Sequence, residues 1–347
     1  MKRIAVDLAK SVYQVAESVR AGVVSQHRRL SREAFGRYIQ EQAEPVEWLM
    51  EACGTAHYWG RQMQARGHRV VLLHARHVRP YRRGSKTDRN DCEAILEAGR
   101  CRGMRPVPVK SLEQQQLQQL HKLREAWKKS RVQRINLLRG ILREAGLQVA
   151  DGPRAFLRQA SELVERPEVG ALRGALQVVL AEISLYEQSM HECEQQLARL
   201  HADDAIVHRL DEVSGIGLLT ASALKAAVGQ PERFANGRQL SAWLGMTPSE
   251  HSSGLRRRLG RISCKGNVYV RTLLVHGSRA SLLAARRCQA RTPERLTRLQ
   301  RWALATAERI GHNKAAVALA NKLVRICWAV WCHERRFSGD WPSARPA

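Results

Sequence analysis

Acidic residues are scarce in this sequence. Against 58 Lys and Arg stand 32 Asp and Glu in 347 residues, a formal net charge of +26. That deficit marks the footprint of a polyanion, with a generically basic soluble protein as the competing reading. Cysteine is present, but positions 53, 92, 101, 193, 264, 288, 327 and 332 contain no CxxC pair. A zinc ribbon or a disulfide framework is therefore not expected; reduced thiols in a cytosolic protein are. Cys327, Cys332 and His333 lack the second half that a metal site needs. No GxxxxGK[ST] loop occurs, so no ATP-driven step is expected. No apolar stretch is expected to reach the roughly 18 residues of a membrane helix. The opening "MKRIAVDLAK" reads as the start of a strand, not as a signal peptide. Apolar residues, 44% of the chain, are enough for real cores, and the length suggests two or three domains.

The few acids that are present fall at telling places. Asp7 sits in "RIAVDLAK" and Glu51 in "VEWLMEACGT", each closing a short apolar run with strand character. Asp88 and Asp91 sit in "KTDRND", three apart, and share one face of a helix. Acids at strand ends suit a hard cation. Magnesium takes oxygen ligands and needs only one or two carboxylates, water and substrate phosphate supplying the rest. Manganese is the alternative ion. Four ionised acids close together repel, so a metal or raised pKa values must relieve them. Lys10 and Lys86 flank the acids, either as phosphate contacts or as solvated lysines.

Residues 1–110 read as β-β-β-α-β-α-β-α. Ser31 caps the first helix, with a capping box that fits only loosely. From 111 to about 146 the pattern is helical, and a loop with Gly152 and Pro153 follows. Leu172, Leu176, Val179, Ile183, Tyr186, Met190, Cys193, Leu197 and Leu200 then alternate steps of four and three. That is an a/d seam over about four heptads. Two long helices joined by a turn are expected to form an antiparallel coiled-coil arm over 111–204. The arm serves dimerisation or spacing, or is a hairpin within one chain. Residues 205–335 read as mainly helical and 336–347 as a tail. Within them, Gly215-Ile216-Gly217 lies between two helical patterns. It resembles a helix-hairpin-helix element that offers backbone N–H groups to nucleic-acid phosphate; the other reading is an ordinary tight turn.

A second dense segment is "LGMTPSEHSSGLRRRLGRISCKG". Ser252, Ser253 and Gly254 form a polar, flexible break, and Arg256, Arg257, Arg258, Arg261 and Lys265 follow. A serine attacks only when its proton is taken and the developing charge is held. Neighbouring arginines meet the second need for a phosphodiester. His251, adjacent in sequence, is a candidate base. On these residues alone the segment reads equally as a loop that only contacts phosphate.

These motifs, in this order, resemble the DEDD-type insertion-sequence transposases, the family numbered one hundred and ten with its eleven-eleven subgroup. "VDLAK" carries the first Asp, Asp7; "EACGT" the Glu, Glu51; "KTDRNDCEAI" the last two acids, Asp88 and Asp91. "VSGIG" precedes "LGMTPSEHSSG" as in the family. The family's nucleophilic serine precedes the glycine of that motif and maps onto Ser253, with Ser252 beside it as a departure. The resemblance implies a RuvC-like (ribonuclease-H-like) α/β domain, a coiled-coil arm and a helical transposase domain. It implies magnesium-assisted recombination of double-stranded DNA through a phosphoserine link, in a homodimer or homotetramer. It further implies site choice by a structured non-coding guide RNA, and action at the bacterial nucleoid. The alternative is a RuvC-like metal-dependent endonuclease in which water attacks.

Overall fold

The computed structural model describes residues 1–340, so the expected tail over 336–347 falls partly outside the described residues. The chain divides into two compact units, Met1–Leu112 and Glu113–Ala347. In the first, β1 (Arg3–Leu8), β2 (Val12–Ser18) and β3 (Gln26–Ser31) lead to α1 (Arg32–Gln40), β4 (Glu47–Glu51), α2 (Ala56–Gln64) and β5 (Arg69–Leu73). Then come α3 (Ala75–Val78), a 3-10 turn (Arg79–Tyr81) and α4 (Asp88–Arg100). The strands make one sheet in the order β3-β2-β1-β4-β5, with β1, β2 and β3 antiparallel and β4 and β5 parallel to β1. This mixed sheet with helices is compatible with the expected α/β domain. The sequence pattern missed α3 and its turn, because four residues are too few to display a period.

Both faces of the sheet are covered, which explains why β1 reads as continuous apolar sequence rather than alternating. Ile4, Val6, Trp48 and Met50 pack on Phe35 of α1 and Trp59 and Met63 of α2. Ala5, Ala16 and Leu49 point the other way, onto Cys92, Ile95 and Leu96 of α4. Small residues let α4 lie close to the strands. The Cys92 thiol donates to the carbonyl of Gln14 at 3.0 Å, and a Cβ on Gly99 would come within 2.7 Å of Leu49.

The second unit begins with α5 (Leu112–Glu144), α6 (Pro153–Val164), a 3-10 turn (Pro167–Leu172) and α7 (Arg173–Leu200). α5 and α7 run antiparallel within one chain. Arg124 pairs with Glu194, Arg131 with Glu187 and Arg134 with Glu182, so partners descend as donors ascend. Leu176, Ile183, Cys193 and Leu197 of the expected seam are buried, whereas Leu172 and Leu200 at its ends are exposed and Leu172 precedes the helix. The link between the long helices is not a loop. Pro153, tolerated at a first helical turn, opens α6, which buries Phe156, Ala160 and Val164.

The unit continues with α8 (Ala205–Asp211), α9 (Leu218–Val228), α10 (Gly237–Trp243), a hairpin of β6 (Pro248–Glu250) and β7 (Leu259–Ile262), and then α11 (Val268–Arg291) and α12 (Arg298–Ile310). The last helix, α13 (His312–Cys332), lies in their common core through Leu319, Leu323, Val324 and Cys327. Gly339 and Asp340 accept hydrogen bonds from the backbone of Leu299 and Arg298. By length and composition alone, two segments are apolar enough to cross a membrane, Pro167–Leu200 and His312–Cys332, contrary to expectation. Half of the apolar window in α13 is buried in the protein, and α7 presents glutamates to arginines of α5.

Candidate active site

Val6 of β1 pairs with Met50 of the parallel strand β4, so the next residues along, Asp7 and Glu51, stand side by side at the strands' carboxyl ends. Side chains alternate along a strand. Asp7 therefore shares a face with Ala5, and Glu51 with Leu49, the face that α4 covers. α4 starts there. Thr87 caps it by accepting from the Asn90 N–H at 3.2 Å, and Asp88 and Asp91 lie in its first turn. Asp7, Glu51 and Asp91 line one cavity of about 190 Å³ with Arg79, Arg82 and Lys86.

Burial raises the pKa of the Asp7 carboxyl, and repulsion by Asp91 and Asp88 adds to it, while Lys86 opposes the shift. Glu51 is also raised, by burial first and then by Asp7 and Asp91, with Arg82 opposing. Arg82 donates to Asp91 at 3.3 Å. Asp88 is exposed and is not among the residues lining the cavity. Among the described residues, no three His, Cys, Asp or Glu side chains converge closely enough to hold a metal unaided. The donor set nonetheless fits a hard ion: oxygens only, half-buried, and repelling one another, with room left for water and phosphate.

The segment expected to be a flexible break is a β-hairpin, pinned at its base. The Ser263 N–H donates to the Thr247 carbonyl at 2.8 Å, and buried Arg271 holds the carbonyls of Leu244 and Lys265. The ladder runs on through His251–Arg258 to Ser253–Arg256, which exchange both backbone bonds around Gly254-Leu255. Gly254 has φ +55°, as the first position of a type II′ turn requires. Opposed and alternate residues of a ribbon share a face. Ser253 thus lies with His251, Arg256 and Arg258, and Ser252 with Glu250 and Arg257.

The contacts agree with that register. Ser252 donates to Glu250 at 2.8 Å and accepts from the Arg258 N–H at 3.1 Å, and Arg257 reaches Glu250 at 3.2 Å. Ser253, Arg256 and Arg258 are exposed, and among the described residues their side chains have no partner. Arg261 and Lys265 are also exposed, farther down the ribbon and at its base.

Gly215 and Gly217 have different surroundings. Gly215 has φ +91°, and a Cβ there would meet the Gly277 carbonyl of α11 at 2.7 Å, so this glycine serves packing. Gly217 is exposed and caps α9 with no side chain bonding its first amides. Lys86 reaches the acid cavity, whereas Lys10 lies in the exposed turn between β1 and β2 and does not line it. Sequence reasoning missed Arg79 and Arg82. The signal available was the basic run "ARHVRPYRR" just beyond the carboxyl end of β5, where α/β sheets place their ligands.

Comparison with known proteins adds an independent line. A DEDD transposase family model of the IS110 type matches residues 5–146, and the Transposase IS116/IS110/IS902 family model matches residues 207–294. The chain is 40% identical over 341 residues to the "Probable family 20 transposase" of Pseudomonas aeruginosa, covering 96% of this chain and 98% of that protein. It is 36% identical over 342 residues to the "Transposase for insertion sequence element IS1111A" of Coxiella burnetii, covering 97% and 91%.

Proposed function

The chain belongs to the IS110 family of DEDD transposases and is a DNA transposase; from that premise we propose how its residues cut and rejoin DNA. Asp7, Glu51 and Asp91 would hold a magnesium or manganese ion, with Asp88 adding negative charge nearby. When bound, the ion supplies a Lewis-acid contact that polarises the scissile phosphate. Lys86, Arg79 and Arg82 steer phosphate to the acids. The Ser253 hydroxyl attacks phosphorus: its O–P bond forms, the bond from phosphorus to the leaving DNA oxygen breaks, and that oxygen takes a proton. His251, on the same ribbon face, accepts the serine proton. Arg256 and Arg258 hold the phosphate oxygens as charge builds on them. A DNA hydroxyl then attacks the phosphoserine, releases Ser253 and reseals the backbone, so the bond energy is conserved without ATP.

One observation carries this reading: the hairpin register groups the Ser253 hydroxyl with Arg256 and Arg258, whose side chains, like that of Ser253, have no partner among the described residues. The wider reading follows the family. The first unit is a RuvC-like domain, residues 111–204 form a coiled-coil arm, and 205–335 form the helical transposase domain with its helix-hairpin-helix-like turn. Gly217, Arg257, Arg261, Lys265 and Lys10 contact nucleic-acid backbone. The acids of one copy work with the serine of another in a homodimer or homotetramer, and a structured non-coding RNA chooses the sites. The net charge of +26 suits both polyanions.

Covalent trapping tests the chemistry. The protein is mixed with element-end duplex DNA, the transcript of the element's non-coding stretch and magnesium, and protein–DNA adducts are counted. Ser253→Ala is expected to abolish the adduct and Ser252→Ala to retain it. The reverse result moves the nucleophile to Ser252, and persistence in both ends the idea. Broken ends without rejoined product identify an endonuclease using water.

A further inference from the structure

Leu255 at the hairpin tip has no role in the fold. Its relative exposure is 108%, the highest of any large apolar residue among the described residues. Leucine belongs to the residue types most often fully covered. The tip is also narrow: beside Leu255 stands Gly254, where a Cβ would meet nothing within 4 Å. The ladder shifts register between Pro248 and Glu250 and then runs through His251–Arg258 to Ser253–Arg256, so this side chain sits at the tip of a hydrogen-bonded ribbon. Arg256, Arg257 and Arg258 follow it directly along the ribbon and are all exposed, with Arg261 exposed farther down.

A two-stranded ribbon fits a groove of duplex DNA, major or minor. The arginines suit the phosphates on either side, but an isolated leucine between them suits no phosphate. The apolar surface within a duplex lies between its stacked bases, and proteins that bend DNA insert single apolar side chains there. We propose that Leu255 is a wedge that enters a base step of duplex DNA beside the phosphate attacked by Ser253. This rests on the reading of Ser253 as nucleophile. Two residues of extended chain span at most ~7 Å, about two steps of a strand at ~3.4 Å each. The wedge therefore opens the step next to the cut. Unstacking there frees the end that must leave its own partner and pair elsewhere during strand exchange.

Fluorescence of 2-aminopurine, which brightens when a base leaves the stack, tests this directly. The base analogue is stepped along the element-end duplex, and the full chain is added with magnesium and the element's non-coding transcript. Wild type is expected to produce a severalfold rise at one step within two nucleotides of the trapped phosphate. Leu255→Ala is expected to lose that rise and Leu255→Met to keep it. The exposure of this side chain means that neither change disturbs folding. Ser253→Ala should keep the rise while losing the adduct, which separates the two claims. If Ser253→Ala still forms the adduct, the nucleophile reading falls while the wedge stands on its own rise. Full brightening with Leu255→Ala overturns the wedge, as does the absence of any rise with wild type. A shift of Leu255→Ala to a smaller assembly with unstacking intact overturns it too, and assigns the tip to a second copy of the chain.

Discussion

Asp7 and Glu51 lie side by side at the ends of parallel strands β1 and β4, and burial raises the proton affinity of both, with Asp91 and Asp88 adding to it at Asp7, and Asp7 and Asp91 at Glu51. With no ion between them, this pair destabilises the folded chain at neutral pH. Asp7→Asn is therefore expected to raise the melting temperature of the metal-free protein, by on the order of 2 °C for each kcal/mol relieved. Magnesium should stabilise wild type by about 2.7 kcal/mol at a hundredfold excess over its Kd and should leave Asp7→Asn unmoved. Strand cleavage should fall at least about a thousandfold, the worth of several kcal/mol of charge stabilisation. Thermal unfolding with and without the ion checks this, and an equal gain in both proteins contradicts it.

Ser252 binds its own turn, with Glu250 on one side and the Arg258 amide on the other. Its hydroxyl, more than the charge of Arg257, holds Glu250 below the usual carboxylate range. Ser252→Ala is expected to speed hydrogen exchange at the Arg258 amide roughly fivefold, the net worth of one hydrogen bond. Adduct formation should slow without stopping. Unchanged exchange at that amide would show that the hydroxyl does not organise the ribbon.

Much of this site was legible in the sequence, because strand ends and helix starts leave short-range marks. Asp7 and Glu51 close apolar runs, and Thr87 ahead of Asp88 and Asp91 begins a capped helix. Other features depend on contacts between distant segments and leave no local mark. The hairpin read as a flexible break because its strands are only three and four residues long and its pattern is polar. The partition of Ser252 from Ser253 follows from register, which a single strand does not display. Arg79 and Arg82 reach the acids because β5 feeds a short helix and turn lacking any period. The glycine pair at 215 and 217 looked alike in sequence, and only α11 tells them apart.

That difference predicts unequal outcomes for the same substitution. Gly215 faces Gly277 across backbone oxygens, and a Cβ on Gly277 would come within 1.8 Å of the Gly215 carbonyl. Gly215→Ala also demands a left-handed residue at φ +91°. It is expected to cost about 2 kcal/mol or more. Gly217 has φ −94°, and its nearest Cβ neighbour is Asp211 at 3.9 Å. Gly217→Ala loses only a favourable helix cap and should cost about 1 kcal/mol or less. Urea unfolding of the two variants measures this, and equal losses would remove the structural distinction between the glycines.

A buried relay in the second unit sets its response to acid. Asp204 pairs with Lys225 and lies 2.9 Å from His201 Nδ1. Its charge orients the chain of bonds: His201 Nδ1–H donates to Asp204, and the Ser222 hydroxyl donates to His201 Nε2 at 2.8 Å. Ser222 then accepts from His121 Nε2–H at 3.0 Å, and the Tyr269 hydroxyl donates to His121 Nδ1 at 3.1 Å. A second proton on His121 has no acceptor in this order. Burial, with Arg124 and His201 nearby, lowers the His121 pKa to about 4. The unfolded chain takes that proton near pH 6.5, so its contribution is complete above 6.5 and is lost as pH falls toward 4. The loss is on the order of 3 kcal/mol at full effect. Half-buried His57, lowered to about 4 in the first unit, acts in the same direction there. His121→Gln keeps a donor and an acceptor but does not titrate. Stability of its second unit between pH 7 and 4.5 should decline less steeply than that of wild type, read by urea unfolding at each pH. An unchanged slope would place the acid sensitivity elsewhere than in this relay.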